Sequence, residues 1–256
     1  MDVKGKVAIV TGSSSVTGVG GETAKLLASR GCNVIVNYLN NKVGAEETVS
    51  VCVAVGVESF AVKADVASDA DCRHLVSTAI DRWGQIDILV NNAAITRSIP
   101  ERDLDALDAT EFHRIYSVNL IGNFQMTRAA APHLKATGDA AVVNISSIGG
   151  LIGGGSSIAY AASKGALNTL TVSFARVLAP EVRVNAICPA GLLGNWTRKI
   201  LTEVAYEERV RAVATEFPLQ RAVWPIDVAR LALWLIEGAT AMTGELIRMD
   251  SGKHLL

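Results

Sequence analysis

The stretch Val7–Gly31, VAIVTGSSSVTGVGGETAKLLASRG, decides the fold. Four apolar residues run into a glycine-rich turn, and a helical pattern follows. This strand–turn–helix order points backbone N–H groups and the positive end of a helix dipole at one place, which suits an anion. The spacing fits neither familiar fingerprint. Five residues separate Gly12 from Gly18, Gly20 follows, and Thr23 stands where G-x-G-x-x-G needs its last glycine. No Gly-Lys-Ser/Thr follows Gly12 at the distance an NTPase loop requires. Alone, the turn reads equally well as a nucleotide loop or as an ordinary βα connection.

Six further β-type runs repeat the theme: NVIVNY, SFAVKAD, DILVNNA, AAVVNIS, RVNAIC and ELIRMD. Most are continuously apolar, as in parallel strands covered on both faces. Helical stretches separate them, at 20–29, 42–55, 70–83, 110–136, 160–178 and 226–237. The alternation predicts an α/β fold: a Rossmann-type doubly wound sheet of seven mainly parallel strands, in one domain over 1–256. Function is then expected at the strand tips, which are rich in Gly, Ser, Asn and Thr.

Composition narrows the partners. Of the 256 residues, 50% are hydrophobic and 19% charged, enough for a two-sided core. The net charge of −1 and the lack of a basic run argue against nucleic acid or an anionic membrane surface. No apolar run approaches the roughly 18 residues of a bilayer span, and MDVKGKVAIVTG does not read as a signal peptide. A cytoplasmic protein with a small-molecule ligand is expected. Cys32, Cys52, Cys72 and Cys188 form no CxxC pair, and the four histidines never fall at ligand spacing, so no metal site is expected.

A second segment, SSIAYAASKGALNTL, carries chemistry. On a helix starting near Tyr160, Tyr160 and Lys164 are i and i+4 and share a face. An ammonium beside a phenol favours phenolate, making Tyr160 a proton donor and acceptor. Such pairs are also common on helix surfaces. Ser146 and Ser147 end the fifth strand and point to opposite faces, so one of them at most reaches the same ligand in the same way. No G-x-S-x-G elbow surrounds them, which disfavours a serine hydrolase.

Taken in order, TG…GVG, NNAA, VN at Asn119, NISS, YAASK and RVNAICP resemble the short-chain dehydrogenase/reductase family, from Lys6 to the C-terminal TGELIRMDSG. The likeness is about equal to its 3-oxoacyl-(acyl carrier protein) reductase and sugar or polyol dehydrogenase branches. It implies a nicotinamide-dependent oxidoreductase that interconverts a carbonyl compound and a secondary alcohol, commonly as a homotetramer, with a homodimer as the smaller option.

By that resemblance Tyr160 transfers the proton and Lys164 bonds the nicotinamide ribose and lowers the tyrosine's pKa. Ser147, thirteen residues before Tyr160, polarises the substrate oxygen, and Asn119 holds a relaying water. The cofactor contacts it implies are Gly12, Ser13, Ser14, Gly18, Val19 and Gly20 in the first turn and Tyr38 after the second strand. Asp65 and Val66, then Asn92 and Ala93 after Asn91, Tyr160 and Lys164 themselves, Pro189 and Leu192 complete the set.

Members that prefer NAD(H) place an acid where Tyr38 stands, so NADP(H) is favoured here and NAD(H) is the alternative. The first turn is two residues longer than is usual in the family. Gly194 takes the place of a common cofactor-binding threonine, with Thr197 as a substitute if the loop shifts. Leu151, Ile152, Leu192 and Trp196 are expected to give a largely uncharged substrate wall. A nicotinamide-binding regulator without turnover is the competing class.

Overall fold

The computed structural model describes all 256 residues. Its seven strands are β1 (Val7–Val10), β2 (Asn33–Tyr38), β3 (Ser59–Lys63), β4 (Ile88–Asn91), β5 (Ala140–Ile145), β6 (Val182–Pro189) and β7 (Leu246–Met249). They pair in the order β3-β2-β1-β4-β5-β6-β7, and every pairing is parallel. Strand order reverses at β1, whose neighbours are β2 and β4, so a crevice opens past the carboxyl ends of β1 and β4.

The side-chain period of two explains the apolar runs. In β1, Ala8 and Val10 enter one core cluster while Val7 and Ile9 enter the other. The first cluster is covered by helices α1 (Val19–Ser29), α2 (Lys42–Val53) and α10 (Pro225–Glu237). The second is covered by α3 (Asp69–Trp83), α5 (Asn123–Thr137) and α7 (Ile158–Leu178). With helices on both faces, neither side of β1 meets water, and its four residues are all buried.

Two departures from the expected elements matter for function. The single helix expected over 110–136 is divided into α4 (Ala109–Tyr116), a π-helical turn (Ser117–Gly122) and α5. Such turns insert an extra residue into the i→i−4 ladder and rotate the following side chains, and Asn119 sits inside this one. Between β6 and α10 the chain also folds into α8 (Asn195–Ile200) and α9 (Glu203–Thr215), where no helix is expected from sequence. Thr202, whose side chain caps α9 by accepting from the Ala205 N–H, followed by Glu203, is the start signal available there. The short α6 (Gly149–Ile152) follows β5. No helix is long and apolar enough to cross a membrane.

Candidate active site

A cleft of about 860 Å³ lies along the carboxyl ends of the strands. The glycine turn forms one end of it. Gly12 has φ +60°, and a Cβ there would come within 2.8 Å of Ala93 Cα, so only glycine suits both the bend and the approach. At Gly21 a Cβ would lie 2.0 Å from the Ser15 carbonyl oxygen, a requirement that the fingerprint spacing does not reveal.

The residues that lengthen the loop form a turn in which the Gly18 N–H donates to the Ser15 carbonyl at 2.8 Å. Gly18 then caps α1 without a side-chain hydrogen bond. The first-turn N–H groups of α1 are left facing the cleft, a cradle that fits a dinucleotide pyrophosphate.

Gly12, Ser14, Gly18, Val19, Gly20, Asp65, Val66, Asn92, Ala93, Pro189 and Leu192 all line this cleft. Two expected contacts do not. The Ser13 hydroxyl is buried and donates to the Val10 carbonyl at 2.7 Å, which turns it into the protein. Tyr38 also lies outside the lining, because strand alternation sends it toward the core that contains β1 and α1. Its neighbours take its place: Leu39, Asn40 and Asn41 reach the cleft. Asn37 lines it too and accepts from the Gly12 N–H at 3.0 Å while donating to the Ala64 carbonyl at 3.0 Å. Asn91 is buried, with its amide donating to Thr127 and Asn144.

The chemistry sits where α7 crosses β5. Ser157 caps α7, its Oγ accepting from the Tyr160 N–H at 3.2 Å, which fixes Tyr160 in the first turn. From there a polar stripe at helical spacing is fastened to β5. The Lys164 Nζ donates to the Ile145 carbonyl at 2.8 Å, Ser146 Oγ to Asn168 Oδ1 at 2.6 Å, and Asn144 Nδ2 to Thr171 Oγ1 at 2.9 Å. The two serines therefore divide as alternation requires. Ser146 is buried against Lys164 and Asn168, whereas the Ser147 hydroxyl accepts from the Gly149 N–H at 3.1 Å at the cleft beside Tyr160.

The tuning of the tyrosine differs from the expectation. Burial pushes the Tyr160 phenol up to about 12; interaction with the Ser147 hydroxyl counters this only in part, and the buried Cys188 thiol adds to it. Lys164 donates one hydrogen bond to the Ile145 carbonyl and stands 5.7 Å from the ring centroid, and burial remains the dominant influence on the phenol. Burial lowers the lysine itself to about 8, so it is mostly charged at neutral pH. The chain's own groups thus hold a protonated phenol, an acid ready to donate.

Asn119 is held from several sides. It is fully buried: its Oδ1 accepts from the Ile95 N–H at 2.8 Å, and its Nδ2 donates to the Ile95 carbonyl at 3.0 Å and to Ser163 Oγ at 3.1 Å. Its main-chain carbonyl accepts from Asn123 Nδ2 at 2.8 Å. Through these contacts Asn119 ties the 92–96 loop to α7, and its main-chain carbonyl keeps a second acceptor site. Thr197 lines the cleft and donates to the Leu192 carbonyl at 2.7 Å, while Gly194 adopts φ +133°. Ile148, Ile152, Trp196, Ile200 and Leu201 make the apolar wall; Leu151 lies outside it. The wall is not free of charge, since Glu101, Lys199, Arg209 and Lys253 also line the cleft.

A pyrophosphate cradle at the sheet's switch point, with a phenol and a buried cation at its far side, defines a nicotinamide-dependent oxidoreductase. Comparison with known proteins makes the assignment specific. Residues 12–254 match the family model described as enoyl-(acyl carrier protein) reductase. The chain is 42% identical over 250 residues to a Streptomyces violaceoruber protein described as ketoacyl reductase 2 of the granaticin polyketide synthase, covering 98% of this chain and 96% of that one. It is 32% identical over 252 residues to a 3-oxoacyl-(acyl-carrier-protein) reductase of Staphylococcus aureus, covering 98% of each. A solved structure from Burkholderia xenovorans, described as a short-chain dehydrogenase/reductase, is similar with a TM-score of 0.90 at 42% identity over 98% of both chains. The chain belongs to the short-chain dehydrogenase/reductase family.

Proposed function

We propose that the protein reduces a ketone, with a 3-oxoacyl group as the leading substrate class. One observation carries this reading: Ser147, Tyr160 and Lys164 meet at the end of β5, in a cleft that also contains the glycine cradle. A bound nicotinamide dinucleotide supplies a hydride to the carbonyl carbon. Ser147 Oγ orients the carbonyl oxygen, and Tyr160 Oη delivers the proton to that oxygen as negative charge develops on it. Lys164 supplies positive charge beneath the phenol and a donor for the nicotinamide ribose.

A phenol held well above neutral pH suits reduction, where an acid is needed, better than oxidation, where a base is needed. The apolar wall of Ile148, Ile152, Trp196, Ile200 and Leu201 suits an acyl chain better than a polyol. The test is a panel of ketones, 3-oxoacyl thioesters, sugars and a 2-enoyl thioester with NADPH, with Tyr160→Phe as the control. Turnover of the enoyl compound alone would move the assignment to enoyl reduction.

We assign NADP(H) as the preferred cofactor. Ser14, Ser15, Asn40 and Asn41 line the cleft past β2 with no carboxylate among them to repel a 2′-phosphate. The Ser14 and Ser15 hydroxyls make no hydrogen bond within the chain, and the Ser14 carbonyl accepts from Asn41 Nδ2 at 2.7 Å, so the lengthened loop leans toward the ribose side. We expect kcat/KM at least tenfold higher with NADPH than with NADH, and deletion of Val16 and Thr17 to erode that ratio. An equal or higher value with NADH overturns the assignment.

A homotetramer, or a homodimer, belongs to the same reading. Ile121, Phe124, Val172 and Val177 are exposed apolar residues of the π-turn, α5 and α7. A molar mass by light scattering equal to one chain would exclude it. Four buried, unpaired cysteines fit a reducing cytoplasm.

A further inference from the structure

Besides Lys164 and Lys199, Arg209 and Lys253 line the cleft, with no carboxylate paired to either. Arg209 lies on α9, three residues after the buried Tyr206 and four before the buried Val213, so helical spacing turns it inward. Its Nε is buried without a hydrogen-bond partner, and its guanidinium forms no ion pair. Lys253, in the 3-10 turn Lys253–Leu255, lies over the Phe217 ring with Nζ 5.6 Å from its centroid and is likewise unpaired. Burial, and after it the charge of Arg209, lowers the pKa of Lys253 against the opposing pull of Asp250, Glu101 and Glu216. Burial lowers that of Arg209.

The carboxylates nearby are otherwise engaged or exposed. Asp250 accepts from the N–H groups of Gly252 and His254 and pairs with the His254 ring at 2.8 Å. Glu216 is exposed at the end of α9. Glu101 is exposed and accepts from the Gly155 N–H at 3.3 Å.

Ring contacts locate the pair of cations. Lys253 lies over the Phe217 ring, which a Cβ on Gly191, two residues past the end of β6, would meet at 2.7 Å; Arg209 is one turn from Tyr206, over which Arg198 of α8 packs, beside the Trp196–Leu201 wall. Arg209 and Lys253 therefore lie on the Tyr160 side of the cleft, away from the adenosine end beside Asn40 and Asn41. Burying a cation without a partner is costly, and an anion bound between these two would remove the cost.

We propose that Arg209 and Lys253 form an anion-binding subsite of the substrate pocket, selecting ketones that carry a carboxylate or a phosphate. This rests on the reductase reading and names the substrate class within it. The carboxylate of a free oxo acid and the phosphate of a pantetheine arm share this chemistry, and the test separates them.

The test is calorimetric binding to the NADPH-loaded protein, in which an alcohol cannot be oxidised by the reduced cofactor. The probes are 3-hydroxyoctanoate against its methyl ester, and 3-hydroxyoctanoyl-pantetheine phosphate against the unphosphorylated thioester. In one pair the anionic member is expected to bind about ten- to a hundredfold more tightly, and that pair identifies the source of the anion. Arg209→Gln is expected to bring the anion's affinity down to that of its neutral partner, and Lys253→Gln to do so in part. Lys253 lies in a terminal turn, so its variant carries the test if Arg209→Gln does not fold. Equal affinities within both pairs, or a preference that survives the substitutions, overturns the proposal. An Arg209-dependent preference without reduction of the matching ketones leaves the subsite standing and defeats the reductase reading.

Discussion

Tyr160→Phe is expected to lower kcat for ketone reduction by about 10²–10⁴-fold, the range for loss of a positioned general acid. The dissociation constant for NADPH should stay nearly unchanged. The substitution removes one oxygen from a side chain that is positioned through its backbone, by the Ser157 cap and by the Tyr160 carbonyl accepting from Ser163 Oγ at 2.7 Å. Neither contact uses the phenol, so the ring should keep its place and the loss should appear in kcat, not in stability. Stopped-flow turnover with NADPH, beside a fluorescence titration of the cofactor, checks both halves. If the two proteins reduce the panel equally well, Tyr160 is not the acid. Should both be inert while still binding NADPH, the nucleotide-binding regulator is the better description.

The direction of the effect follows from burial. In water a phenol is already a weak acid, and inside the cleft it is pushed up to about 12. Loss of its proton therefore cannot limit reduction anywhere in the physiological range. A fall in rate on the alkaline side has to come from another group, and Lys164, lowered to about 8, is the group placed to cause it.

How much of this was legible in the sequence depended on whether a residue's role is local. The strands were legible because alternate side chains feed two cores, as Val7 and Ile9 do against Ala8 and Val10. The shared face of Tyr160 and Lys164 was legible from a spacing of four. The direction of the tyrosine's pKa was not, since it is set first by burial of the phenol, which a spacing of four does not reveal.

The contacts of Asn119 were out of reach for a similar reason. Its partners Ile95 and Ser163 lie 24 and 44 residues away, and the π-turn that aims it has no periodic signature. Ser13 and Tyr38 hold the family's positions, whereas the Ser13–Val10 hydrogen bond and the alternation of β2 turn them inward, and Ser15, Asn37, Asn40 and Asn41 line the cleft. Arg209 was invisible because α9 was; one cap residue and one acid are a weak signal beside a hydrophobic stripe.

Lys164→Met is expected to separate activity from stability. Lys164 is 2% exposed, and its pKa is lowered from 10.5 to about 8 by burial. The lowering means that between about pH 8 and 10.5 the unfolded chain holds a proton that the folded chain has released. Stability contributed by this group therefore rises with pH through that window, and at neutral pH the buried charge opposes folding by about 3 kcal/mol. Methionine removes the charge and keeps the volume, but leaves the Ile145 carbonyl without its donor, at a cost of about 1–3 kcal/mol. The two effects nearly cancel, so Tm at pH 7 should be unchanged or slightly raised.

Activity should behave differently. Without the cation beneath the phenol and the donor for the ribose, kcat should fall by about 10²-fold or more, and the alkaline limb of the wild-type profile, near pH 8, should disappear from what remains. Differential scanning calorimetry and a pH–kcat profile on the same preparations test this together. A large drop in Tm with a proportionate loss of rate would mean that Lys164 serves the fold. An alkaline limb that survives in Lys164→Met would assign that ionisation to another group.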